Sequence, residues 1–119
     1  VRLTDAEWAV LEALWSGDSF ALGELAAELK NSKGWNKNTV YTYLTRMAAK
    51  GLVNIDRSQP KPYSAAVSRE DCAGRERHEL LSRVYNGAAG DLIAAFLKES
   101  HISREEAERL RRLLDEMEV

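Results

Sequence analysis

The stretch WNKNTVYTYLTRMAAKG, Trp35 to Gly51, decides the fold. Asn36 can cap a helix with its side-chain carbonyl, and Gly51 is placed to end one. Between them Val40, Leu44, Met47 and Ala48 recur at the spacing of a single helical face, which predicts an amphipathic helix with that face inward. The outward side carries Lys37, Asn38, Thr39, Tyr41, Thr42 and Arg46, and no carboxylate. Solvated helix faces usually mix both signs of charge, so a face that excludes acids suits a polyanion.

Two more helices are expected upstream. Thr4-Asp5-Ala6-Glu7 has the form of a capping box, Trp8, Leu11, Leu14 and Trp15 follow at helical spacing, and Gly17-Asp18 is a stop. A second helix is expected over Leu22–Lys30, with Leu22, Leu25, Ala26 and Leu29 inward, broken by NSKGW. Downstream the period changes to that of strands. Leu52–Arg57 and Tyr63–Val67 are short β-prone runs around a Pro-containing turn, which reads as a β-hairpin. Three helices and a hairpin, with the third helix basic outward, define a winged helix-turn-helix over residues 1–67 rather than an unrelated small α+β domain.

From Ser68 the pattern is helical throughout. Ser68-Arg69-Glu70-Asp71 can cap a helix carrying Leu80, Leu81, Val84 and Tyr85, and NGAAG breaks it. Leu92, Ile93, Phe96 and Leu97 mark a further helix. Ser103-Arg104-Glu105-Glu106 is a second capping box, before a helix lined on one side by Leu110, Leu113, Leu114 and Met117. Three short helices attached to a domain with its own core cannot bury these stripes well alone, so residues 68–119 are expected to be a dimerisation region with a twofold partner. The alternative is that they fold back on the first domain in a monomer. The fold class is therefore mainly α with a small β-hairpin: a winged helix-turn-helix domain plus a C-terminal helical dimerisation region.

Composition bounds the function. At 119 residues, 45% hydrophobic and 30% charged, the chain is long enough for one domain with an appended helical piece and too apolar to stay disordered. No apolar run approaches membrane-spanning length and no signal-peptide pattern opens the sequence, so membrane insertion is not expected and a cytoplasmic location is. The net charge of −2 conceals an asymmetry. Residues 1–28 hold six acids and one base, residues 29–67 seven bases and only Asp56, and residues 68–119 twelve acids and nine bases. A positive middle between negative flanks points to a polyanion-binding segment. Cys72 has no internal disulfide partner, and His78 and His101 stand too far apart in sequence to suggest a metal site, so no metal or cofactor is expected. There is no glycine-rich phosphate loop, nucleophile elbow or zinc-type His pair, and the chain is not read as an enzyme.

An α-helix fits the major groove of B-DNA, and residues near its start meet the base edges. That places Lys37, Asn38, Thr39, Tyr41 and Thr42 against the bases, with Arg46 one turn further on guanine or phosphate. Arg57 and Lys61 on the hairpin would follow the adjacent backbone or minor groove. Other residues have plainer readings: Trp35 as core or helix-entry packing, Tyr43 against the first helix or the wing, Lys50 serving its helix dipole, and Lys30 and Lys33 solvated. A winged helix used only for protein–protein contacts is the alternative, as is a transcriptional activator.

The segments LTDAEWAVLEALW, NKNTVYTYLTRMAAKGLV and LIAAFLKESHISREEAERLRRLL together resemble the penicillinase repressor family over nearly the whole chain, and its β-lactamase and methicillin-resistance branch more than its copper-responsive branch. The resemblance implies a homodimeric winged-helix repressor on a palindromic double-stranded DNA operator. It also implies, in β-lactam-responsive members, release when a membrane sensor-protease system cuts the tail at an Asn-Phe bond. The bond that lines up here is Ala95-Phe96, with Ala in the place of Asn. The copper-responsive branch ends in a cysteine cluster, which this sequence, with Cys72 alone, lacks.

Overall fold

The computed structural model describes residues 2–117. Three helices come first, α1 (Asp5–Trp15), α2 (Leu22–Lys33) and α3 (Lys37–Ala49). Two strands follow, β1 (Val53–Ile55) and β2 (Tyr63–Ala65), and then α4 (Arg69–Tyr85), α5 (Ala89–Glu99) and α6 (Arg104–Glu116). The chain divides into two compact units, Val1–Arg77 and His78–Val119, so α4 begins in one and ends in the other.

In the first unit the local signals act as chemistry requires. The Glu7 amide donates to the Thr4 hydroxyl at 3.2 Å and the Thr4 amide to the Glu7 carboxylate at 2.9 Å, closing the capping box of α1. The helix ends at Ser16, just before the Gly17-Asp18 stop. α2 runs three residues past the expected end at Lys30. Asn31, Ser32 and Lys33 stay helical, because the residue that stops the helix is Gly34, left-handed at φ +72°. The Asn36 side chain accepts the Thr39 amide at 2.9 Å and caps α3. At its other end Gly51, at φ +80°, donates to the Ala48 carbonyl and Leu52 to the Met47 carbonyl, the paired bonds of a Schellman motif.

β1 and β2 pair antiparallel with Val53 opposite Ala65 and Ile55 opposite Tyr63. Both strands are shorter than their β-prone runs. A single-residue bridge, Phe20 with Tyr63, extends this sheet onto the segment between α1 and α2. Phe20 and Tyr63 exchange backbone hydrogen bonds of 2.8 and 3.0 Å. One paired residue leaves no periodic trace in sequence, which is why the bridge was not foreseen.

Val10, Leu11 and Leu14 of α1, Leu25 and Leu29 of α2, and Val40, Leu44 and Met47 of α3 form the dry centre of this unit. Val53, Tyr63 and Cys72 close it from the hairpin and from the first turn of α4. Trp8 and Trp15 lie half-buried at its border, edge to face with centroids 5.6 Å apart. In the second unit, α6 starts in the expected box, the Glu106 amide donating to Ser103 at 3.0 Å and the Ser103 amide to Glu106 at 3.2 Å. Neither α5 nor α6 buries a single side chain.

Candidate nucleic-acid interface

The capping of α3 sets the interface. Because Asn36 supplies the cap, the first turn needs no acid, and it has none. The free amides and the positive end of the helix dipole are thus left unopposed by a carboxylate. Lys37, Asn38, Tyr41, Thr42 and Arg46 are exposed and Thr39 is half-buried. A shallow depression lined by Asn36, Asn38, Thr39, Thr42, Tyr43 and Arg46 runs along this side. Helical geometry centres the outward face on Asn38, Thr42, Arg46 and Ala49, with Tyr41 toward one edge. Thr45 is exposed on the same side, one turn after Tyr41, and sequence reading did not name it.

The Thr42 hydroxyl donates to the Asn38 carbonyl at 2.9 Å. Its proton is therefore committed, leaving an acceptor oxygen and a methyl group for a partner. Asn38 offers an amide that can both give and take hydrogen bonds. Arg46 and Lys37 have no carboxylate partner among the described residues, so their charge is available without breaking a pair.

Tyr43 stacks on Trp35, with centroids 4.9 Å apart and planes at 22°, and is partly buried against the core. This pair fixes the entry into α3 against its second turn. Lys50 does more than face a helix dipole. Its ammonium lies 2.7 Å from the carboxylate of Glu7, a residue only 4% exposed. Burial alone pushes the Glu7 carboxyl up; the hydrogen bonds from Lys50 and Thr4 outweigh it and hold the group below its ordinary value. One carboxylate thus caps the start of α1 and holds the end of α3.

On the wing, Arg57 is exposed and unpaired among the described residues, whereas Lys61 sits 3.4 Å from Glu24. Glu24 accepts the Ala21 amide at 2.9 Å with its other oxygen, and that bond, with Lys61, holds its carboxyl low. The pair is exposed on both sides and weak, so Lys61 can exchange Glu24 for a phosphate at small cost. The wing's own acid, Asp56, is held low by the Ser58 hydroxyl and amide, and points its charge into its own turn.

The second unit holds the other predicted set. Leu80, Leu81, Leu92 and Leu110 are half-buried, while Val84, Ile93, Phe96, Leu97, Leu113, Leu114 and Met117 are exposed. Ile102, at 40% exposure, joins them and was not foreseen. Of the bond Ala95-Phe96, Ala95 is half-buried and Phe96 exposed, both within α5. Cys72 is buried, and burial pushes its thiol up, away from reactivity. No helix among the described residues is long and apolar enough to cross a membrane.

These features define a winged-helix protein of the kind that presents a helix to duplex DNA. The chain belongs to the penicillinase repressor family, whose model it matches over residues 3–116; this is a family of transcriptional repressors, not of enzymes. It is 28% identical over 116 residues to the penicillinase repressor of Bacillus licheniformis, covering 97% of this chain and 91% of that one. It is 26% identical over 117 residues to the methicillin resistance regulatory protein MecI of Staphylococcus aureus (strain N315), covering 96% and 94% respectively. Among solved structures, that of the monomeric form of Bacillus licheniformis BlaI in complex with the blaP half-operator matches with a TM-score of 0.53 at 26% identity, covering 60% of this chain and 88% of that one.

Proposed function

We propose that the protein is a sequence-specific transcriptional repressor that binds a palindromic operator as a homodimer, α3 in the major groove and the β1–β2 wing along the adjacent backbone. The observation that carries this is the exposed, acid-free face of α3 with an unpaired Arg46. A winged helix kept only for protein contacts has no need of such a face. A relative solved on a half-operator supports the same reading. Asn38 and Arg46 would read base edges, Lys37, Arg57 and Lys61 would meet phosphates, and the Thr42 methyl suits a thymine. The exposed stripe of α5 and α6 would meet its twofold mate, doubling the contact with DNA. This is the work of a cytoplasmic protein.

Release by a membrane sensor-protease system belongs to the same reading. A cut between Ala95 and Phe96 would divide α5 and detach α6, lowering dimer affinity and with it occupancy of paired half-sites. The bond lies inside a helix, so cutting requires α5 to open locally.

The test is fluorescence-anisotropy titration of the duplex upstream of the protein's own gene, across a salt series, against a scrambled duplex. Selective binding of two chains per site with a steep salt slope supports the proposal, because each neutralised phosphate releases counterions. Salt-insensitive binding, equal on both duplexes and on duplexes from a random-sequence selection, contradicts it.

A further inference from the structure

Two tyrosines flank the outward face of α3. By helical geometry Tyr41 stands about 100° to one side of Thr42 and Tyr43 about 100° to the other. A helix about 10–12 Å across nearly fills a major groove about 12 Å wide, so its flanks approach the sugar-phosphate walls while its centre meets the bases. Tyr41 is exposed, whereas Tyr43 is half-buried, its ring stacked on Trp35 and packed against the core. The stack fixes that ring before any partner arrives, so little rotamer freedom is lost on binding.

Packing accounts for the ring of Tyr43 but not for its hydroxyl, since a phenylalanine would stack on Trp35 equally well. No hydrogen bond among the described residues engages the hydroxyl, and no buried polar side-chain atom there is left unpartnered, so the hydroxyl meets solvent. Tyr43 also lines the shallow depression that holds Asn36, Asn38, Thr42 and Arg46 and no carboxylate. Asn36 has given its side-chain carbonyl to the Thr39 amide, which leaves its NH2 group to donate. Arg46 adds a charge without a carboxylate partner among the described residues. A depression rich in donors and free of acid suits an anion.

We propose that Tyr43 is a DNA contact in its own right, its hydroxyl donating to a phosphate oxygen on the wall of the groove, with Trp35 as the positioning residue that holds the ring. The inference rests on the reading of α3 in the major groove. Tyr43 meets a phosphate rather than a base because it lies at the edge of the outward face, not at its centre. Such a contact fixes the register of the helix on the duplex and carries no sequence information of its own. Being neutral, the phenol also leaves the count of released counterions unchanged.

The test uses the full chain and the duplex recovered by random-sequence selection, intact or with single phosphates replaced in turn by methylphosphonate. Tyr43→Phe keeps the stack and removes only the hydroxyl. The variant is expected to bind the intact duplex about tenfold more weakly, the worth of one hydrogen bond to a charged group. Its salt slope and its preference over single-base changes in the duplex should equal the parent's. At one phosphate, methylphosphonate should weaken the parent several-fold more than it weakens the variant. A variant that binds as tightly as the parent overturns the inference and leaves the proposed function standing. So does a variant whose deficit persists whichever phosphate is replaced, since the hydroxyl would then act on a base or on the fold. A selection that recovers no preferred duplex overturns the reading of α3 itself, and the inference with it.

Discussion

Arg46 stands one turn beyond Thr42, exposed and without a carboxylate partner among the described residues. Arg46→Ala is expected to weaken operator binding by about 1–3 kcal/mol, the worth of a bidentate base contact. An anisotropy titration in which the variant binds as tightly as the parent would sink the placement of α3. Glu7 makes a prediction of another kind. Its folded-state carboxyl is held below the ordinary value of 4.5, so the ion pair with Lys50 stabilises the fold above that pH and is lost as pH falls through the lower folded value. Glu7→Gln should cost about 1 kcal/mol at neutral pH, and chemical denaturation should show the gap closing in acid. A gap that stays constant as pH falls below 4.5 would contradict the assignment. Half of this was legible beforehand: Thr4 and Glu7 announce a cap by their spacing alone. That Glu7 also takes Lys50, 43 residues away, is a property of how α1 and α3 pack, and no local pattern records it. The stacking of Tyr43 on Trp35 went unforeseen for the same reason, since Trp35 lies outside the helical repeat.

At the scale of elements, the end of α3 offers the sharpest test. Gly51 lies at φ +80°, where a side chain is strained whatever the space around it, and nothing lies within 4 Å of a Cβ built there. Gly51→Ala should therefore destabilise the winged unit by about 1 kcal/mol through backbone strain alone. Thermal melting would read it as a lowered midpoint, and an unchanged midpoint would mean that the turn can relax. Such elements were readable because caps and stops are chemical: Asn36, Ser103 and Gly51 each act within four residues of themselves. The hairpin was readable in kind but not in length, because β-prone runs continue past the residues that actually pair. α2 overran its expected end because Asn31 and Ser32 are weak helix formers but not breakers, whereas Gly34 supplies the left-handed turn.

For the whole molecule, the decisive residues are the apolar ones that the single chain leaves in water. Leu113 is 54% exposed on α6. Leu113→Asp should leave the winged unit folded and yield monomers, and light scattering that shows a dimer at micromolar concentration would remove α6 from the interface. The sequence foretold this stripe well, since its period is long and regular, but it could not say how much of it a chain would cover by itself. That α5 and α6 bury no side chain of their own also has a thermodynamic consequence. The first unit has a dry centre and should melt in a unimolecular step, at a temperature indifferent to how much protein is in the cell of the calorimeter. The second, if it pairs with a twofold mate as proposed, should melt in a step of second order, moving upward as the protein is concentrated. One chain would thus carry two transitions, and only one of them would know how many copies of the molecule are present.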